Sequence, residues 1–169
     1  MGRFSAGKII GCLLAAAYAT YYLAQPYQST TLDAFDLLMH EAGHWIFWPF
    51  GQFMHVLGGS LNQILIPLVF IIYFWLRREK FSASLLLYWL GINLVNVSVY
   101  AADAFKMQLP LLGGDGVIHD WNWLLSDLGW LRDTDPIAAT IKFSGLLIMI
   151  LAFALSFYFA QQQPTKNIL

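Results

Sequence analysis

The sequence predicts an all-α fold: a polytopic membrane protein of about five transmembrane helices, with a re-entrant or interfacial segment near residues 105–136. Three observations carry this. The 169 residues are 59% hydrophobic and only 11% charged, about half the charge share of an ordinary soluble domain. The apolar residues gather in five runs, each close to the roughly 20 residues that cross a bilayer. Aromatic residues make up 17% of the chain, and tryptophans stand near the ends of the runs, where membrane interfaces favour them.

Taken in order, the runs form one integral membrane domain spanning 1–169. The first, about 9–27, follows a short basic lead, Arg3 and Lys8. Such a lead also suits a signal peptide, and we expect a retained helix. The second runs over about 32–53. Asp33 and Asp36 suit its N-terminus, and Trp48–Pro49 is expected to bend or end it. The third, about 61–76, is short; Asn62 and Gln63 are expected to cap it, and Pro67 to kink it. Arg77, Arg78, Glu79 and Lys80 stop it sharply. The fourth, about 81–104, carries Asn93 and Asn96, which are expected to bond across helices, with holding an extended peptide strand as the alternative use. The fifth, about 137–160, has Lys142 near enough to its start to snorkel. Five crossings place the Arg77–Lys80 cluster and Lys166 on one side, and Arg3, Lys8, Lys106 and Arg132 on the other. The denser cluster, with the C-terminus, is expected in the cytoplasm.

Composition also excludes. A formal net charge of −1 gives no electrostatic footprint for nucleic acid. Cys12 is the sole cysteine, so neither an intrachain disulfide nor a cysteine-rich zinc site can form.

The chemistry concentrates in "LLMHEAGHWIFWPF", residues 37–50. Two imidazoles and a carboxylate among Leu, Phe and Trp are costly unless something pairs with them. On a helix, His40 and His44 stand on one face about 6 Å apart along the axis. They can offer two ring nitrogens to one ion. Glu41 is offset by about 100° and can reach a water without being a ligand. This is the H-E-x-x-H arrangement of zinc hydrolases. Zinc lowers the pKa of a bound water towards about 7. The glutamate then acts as general base, passing the proton on to the leaving group.

HEAGH in an apolar segment resembles the site-2 protease-like (M50) intramembrane zinc metalloproteases, in particular their small members. The following "HVLGGSLNQILIPL", residues 55–68, is similar to the Gly-rich turn and next helix of that group. The resemblance covers about residues 35–104. It implies one Zn2+ per chain held by His40 and His44, with Glu41 as catalytic base. It also implies cleavage of peptide bonds in or near the bilayer, and an aspartate in a later helix as third ligand.

A catalytic zinc takes three protein ligands and a water. With no cysteine to help, the remaining nitrogen ligands are His55 and His119, and His55 more readily marks an interface. The stretch "LPLLGGDGVIHDWNWLL", residues 109–125, places glycines before His119 and tryptophans after it. Its glycines permit a sharp return of the chain. We therefore expect His119 as the third metal ligand, with Asp103 as its competitor. Asp103, Asp115 and Asp120 are the alternative third ligands or the carboxylates that orient a ligating histidine.

The reading is a membrane-embedded zinc metallopeptidase whose partners are the lipid bilayer and a membrane-protein or peptide substrate, with no nucleic acid. Two alternatives stay open. One is a membrane zinc hydrolase of a lipid amide or ester. The other is a non-catalytic metal-binding membrane protein.

Overall fold

A computed structural model describes residues 5–25, 30–112 and 116–161. Within them the regular elements are helices: α1 (Ala6–Ala24), α2 (Thr31–Phe47), α3 (Gln52–Leu76), α4 (Lys80–Ala102), α5 (Asp120–Asp127) and α6 (Thr134–Ala160). Two single 3-10 turns, Trp48–Phe50 and Leu131–Asp133, lead into α3 and α6.

Among the described residues, four helices are long and apolar enough to cross a membrane: α1, α3, α4, and α6 with its leading turn. The fifth expected crossing is not among them. The second run forms a helix of only 17 residues, about 26 Å at 1.5 Å per residue, and it carries Asp33, Asp36 and Glu41. The outer faces of the long helices expose large apolar side chains, among them Leu14, Val69, Phe143 and Ile150. The inner faces pack Ala19 and Tyr22 of α1 against Tyr88, Ile92 and Val95 of α4 and Met149 and Ala152 of α6.

Local chemistry explains the boundaries of α2. Thr30 caps it in a reciprocal box: its hydroxyl accepts from the Asp33 amide, and Asp33 Oδ2 accepts from the Thr30 amide at 2.7 Å. Such boxes satisfy two of the orphan amides at a helix start. Trp48–Pro49–Phe50 closes α2, and Gly51, at φ 95°, turns the chain in a conformation that favours glycine. α3 therefore begins at Gln52, nine residues before the expected start at Leu61. Asn62 and Gln63 do not cap it; they lie buried in its interior. The helix continues through Pro67, which leaves the Gln63 carbonyl without its usual amide donor.

The α2–α3 hairpin is closely packed. A Cβ on Gly58 would lie 2.6 Å from the Gly43 carbonyl oxygen, so only small residues allow this approach. Asn62 Nδ2 donates to the Met39 carbonyl at 2.7 Å, stapling the two helices.

The bundle's two ends are chemically distinct. At one, the Ser5 amide donates to the Ala160 carbonyl at 3.3 Å, joining the start of α1 to the end of α6. Lys8 stands 5.4 Å from the Phe81 ring centroid, and Lys80 stands over Trp75 and Phe159. Lys8 thus shares an end with Arg77–Lys80 rather than lying opposite them. At the other end, α5 packs on α3 and on the close of α4: Trp121 Nε1 donates to Ser60 Oγ at 3.1 Å, and Asn122 Nδ2 to the Ala104 carbonyl at 2.8 Å.

Candidate metal centre

α2 projects His40 and His44 from one face, with ring centroids 5.0 Å apart. His40 is buried, and a Cβ added to Gly59 of α3 would sit 2.5 Å from its Nε2. Gly59 is thus the space the imidazole occupies. From α5 comes Asp120, also buried. Its Oδ2 lies 2.9 Å from His40 Nε2 and 3.3 Å from His44 Nε2. Among the described residues, His40, His44 and Asp120 form the group whose ligand atoms all fall within 4.8 Å of one another.

The protons show what this group can hold. His44 Nδ1 donates to the His55 carbonyl at 2.8 Å, so in neutral His44 the Nε2 atom is a bare lone pair. That lone pair faces the Asp120 carboxylate at 3.3 Å. Two electron-rich atoms at this distance repel unless a cation, proton or metal, sits between them. Burial by itself works to raise the Asp120 carboxyl, but pairing with His40 and with a protonated His44 outweighs it and holds the group below its ordinary value. Two imidazole nitrogens and one carboxylate oxygen are a donor set that could hold a metal ion.

Glu41 follows His40 and lines the same cavity as the cluster. It is half-buried. The cavity measures about 610 Å³. One wall is apolar, from Leu37, Leu109–Leu112, Val117 and Ile118; towards the start of α2 it is polar, from Asp33, Gln63 and Asn96.

The structure does not bring His119 to the cluster. His119 caps α5 instead: its Nδ1 accepts from the Asn122 amide at 3.2 Å, and its Nε2 lies 3.3 Å from Asp103 Oδ2. The residue that lies against His40 and His44 is the next one, Asp120. Asp103 is likewise no ligand neighbour. As the C-cap of α4 it also accepts the amides of Gln108 and Leu109, at 2.9 and 2.8 Å. Asp115 lies outside the described residues, as do Gly113 and Gly114. His55 stays off the cluster too: its Nδ1 donates to the His44 carbonyl at 2.8 Å.

Tyr100, which sequence reasoning missed, links these parts. Its hydroxyl accepts from the Asp120 amide at 3.1 Å, and its ring lies tilted 4.5 Å from His119 and edge-on 5.8 Å from His40, centroid to centroid. Its spacing of three from Asp103 in the last turn of α4 was the available signal. Asn93 and Asn96 bond across helices: Asn93 approaches Asp36 at 3.5 Å, and Asn96 accepts from Gln63 at 2.9 Å and donates to Tyr22 at 3.1 Å.

Comparison with known proteins adds no kinship to this geometry: no family model, no curated protein and no solved structure matches the chain.

Proposed function

We propose that the chain is an integral membrane zinc metallopeptidase, with α1, α3, α4 and α6 crossing the bilayer, α2 held among them and α5 at the membrane surface. The observation that carries this is the meeting of His40 and His44 with a carboxylate from a distant element, in a cavity that Glu41 also lines. His40, His44 and Asp120 would hold the ion. Bound there, zinc supplies a Lewis acid that polarises a carbonyl and acidifies water. Glu41 takes the proton released by the attacking water and returns it to the leaving amine. Tyr100 and His119 keep Asp120 in place, and Gly59 leaves His40 its room.

A peptide is favoured over a lipid by the cavity's polar end. Gln63 and Asn96 bond to each other there at 2.9 Å, and these primary amides can exchange that bond for the backbone of an extended peptide. A pocket for acyl chains gains nothing from burying them.

The test is purified protein with an apolar fluorogenic peptide in detergent. Zinc should copurify at one per chain and its removal should stop cleavage. Glu41→Gln should keep the zinc and lose about 10²–10⁴-fold in rate. Full activity in that variant excludes the general-base role. Cleavage of a lipid amide but of no peptide selects the other hydrolase.

A further inference from the structure

The two ends of the bundle say which side of the membrane the centre serves. The Ser5–Ala160 hydrogen bond, at 3.3 Å, places the first and last long helices' outer ends together. A chain whose spans begin and end on one side crosses an even number of times, which α1, α3, α4 and α6 satisfy and a fifth crossing by α2 would not. The shared end carries Lys8, Arg77, Arg78 and Lys80. In the sequence Arg3 stands just before it and Lys166 just after. The opposite end carries Lys106, Arg132 and, two turns into α6, Lys142, among Asp103, Asp120, Asp127, Asp133 and Asp135; the shared basic end still has the larger number. Lysine and arginine mark the cytoplasmic side, and acidic residues contribute little to the choice.

The metal centre lies at the acidic end. The Asp120 amide is held by Tyr100, in the last turn of α4, and the preceding residue, His119, pairs with the α4 C-cap Asp103. The cavity is bounded there by Leu109–Leu112, Val117 and Ile118, from the loop between α4 and α5. Ile118 is 54% exposed, so this wall borders the outside.

We infer that the centre opens on the non-cytoplasmic side of the membrane and takes its peptide from there. The substrate is thus an apolar stretch in the non-cytoplasmic leaflet or just beyond it. The substrate part rests on the peptidase reading; the sidedness does not.

The test is single-cysteine labelling with a membrane-impermeant maleimide in intact bacterial cells. Cys12→Ser removes the native thiol and keeps a hydroxyl against Ser156 Oγ, now 3.0 Å from the sulfur. On that background, Gln52→Cys and Ile118→Cys report the metal end and Glu79→Cys the basic end. The first two should label in intact cells, and Glu79→Cys only after permeabilisation. The reverse pattern, or labelling of both ends from one side, overturns the inference. Where a cysteine variant is not made, a fluorescent protein fused at the C-terminus reports the same sidedness: bright supports the inference, and dark full-length fusion opposes it. Neither readout uses activity, so loss of the sidedness leaves the peptidase reading standing, and an active Glu41→Gln leaves the sidedness standing.

Discussion

His44 and His55 each donate their ring Nδ1 proton to the other's backbone carbonyl, both at 2.8 Å. The exchange locks the end of α2 to the start of α3. It also fixes the His44 tautomer, so that Nε2 is the atom turned towards Asp120. The His44 carbonyl already accepts the Trp48 amide; as one of the last four of α2 it has room for a second donor.

His55→Ala removes one half of this exchange and leaves the half that orients His44. The expected result is a loss of about 0.5–1.5 kcal/mol in stability, with one zinc still bound at saturation. Thermal unfolding and metal analysis measure the two. If stoichiometric zinc disappears with the His55 side chain, His55 is a ligand and the assignment must change.

His119→Ala and Asp120→Ala separate two neighbouring residues by their roles. Loss of His119 costs α5 its cap, about 1 kcal/mol, and weakens zinc binding by about 10–100-fold, as expected for a group that supports a ligand. Loss of Asp120 removes a ligand, and stoichiometric zinc should vanish. Equal effects, or the reverse order, would favour His119 at the metal.

That pair also marks where the sequence ceased to be legible. His40 and His44 could be placed because helical spacing alone puts residues four apart on one face. The first, fourth and fifth apolar runs could be placed because bilayer thickness sets their length, while the third was read nine residues too short. Which of His119 and Asp120 points inward depends on where α5 begins. Aspartate is the better N-cap by propensity, yet here His119 takes that position, at φ −78° and ψ 108°, and Asp120 becomes the first helical residue. One residue of register turns the side chain by about 100°. The end of the second run was misplaced for a related reason: hydrophobic content extended it to Phe53, while Trp48–Pro49–Phe50 and Gly51 ended α2 at Phe47 and gave the next residues to α3.

Gly59→Ala tests the fit of His40. The added methyl would meet the imidazole at 2.5 Å from Nε2, so the ring must move. Helical content by circular dichroism should be unchanged and zinc affinity should fall by about 10–100-fold, the range seen when a ligand's supports are disturbed. Unaltered affinity in a competition titration would mean the ring position is not what sets binding.

The ligand set is the feature on which the proposed chemistry depends, and X-ray absorption at the zinc edge of the purified wild-type protein measures it directly. The predicted first shell has two imidazole nitrogens at about 2.0–2.1 Å and oxygens at about 2.0–2.2 Å, four-coordinate with one position held by solvent. Three or more imidazoles in that shell would contradict the assignment of His40, His44 and Asp120, and the absence of stoichiometric zinc would contradict the metal centre itself.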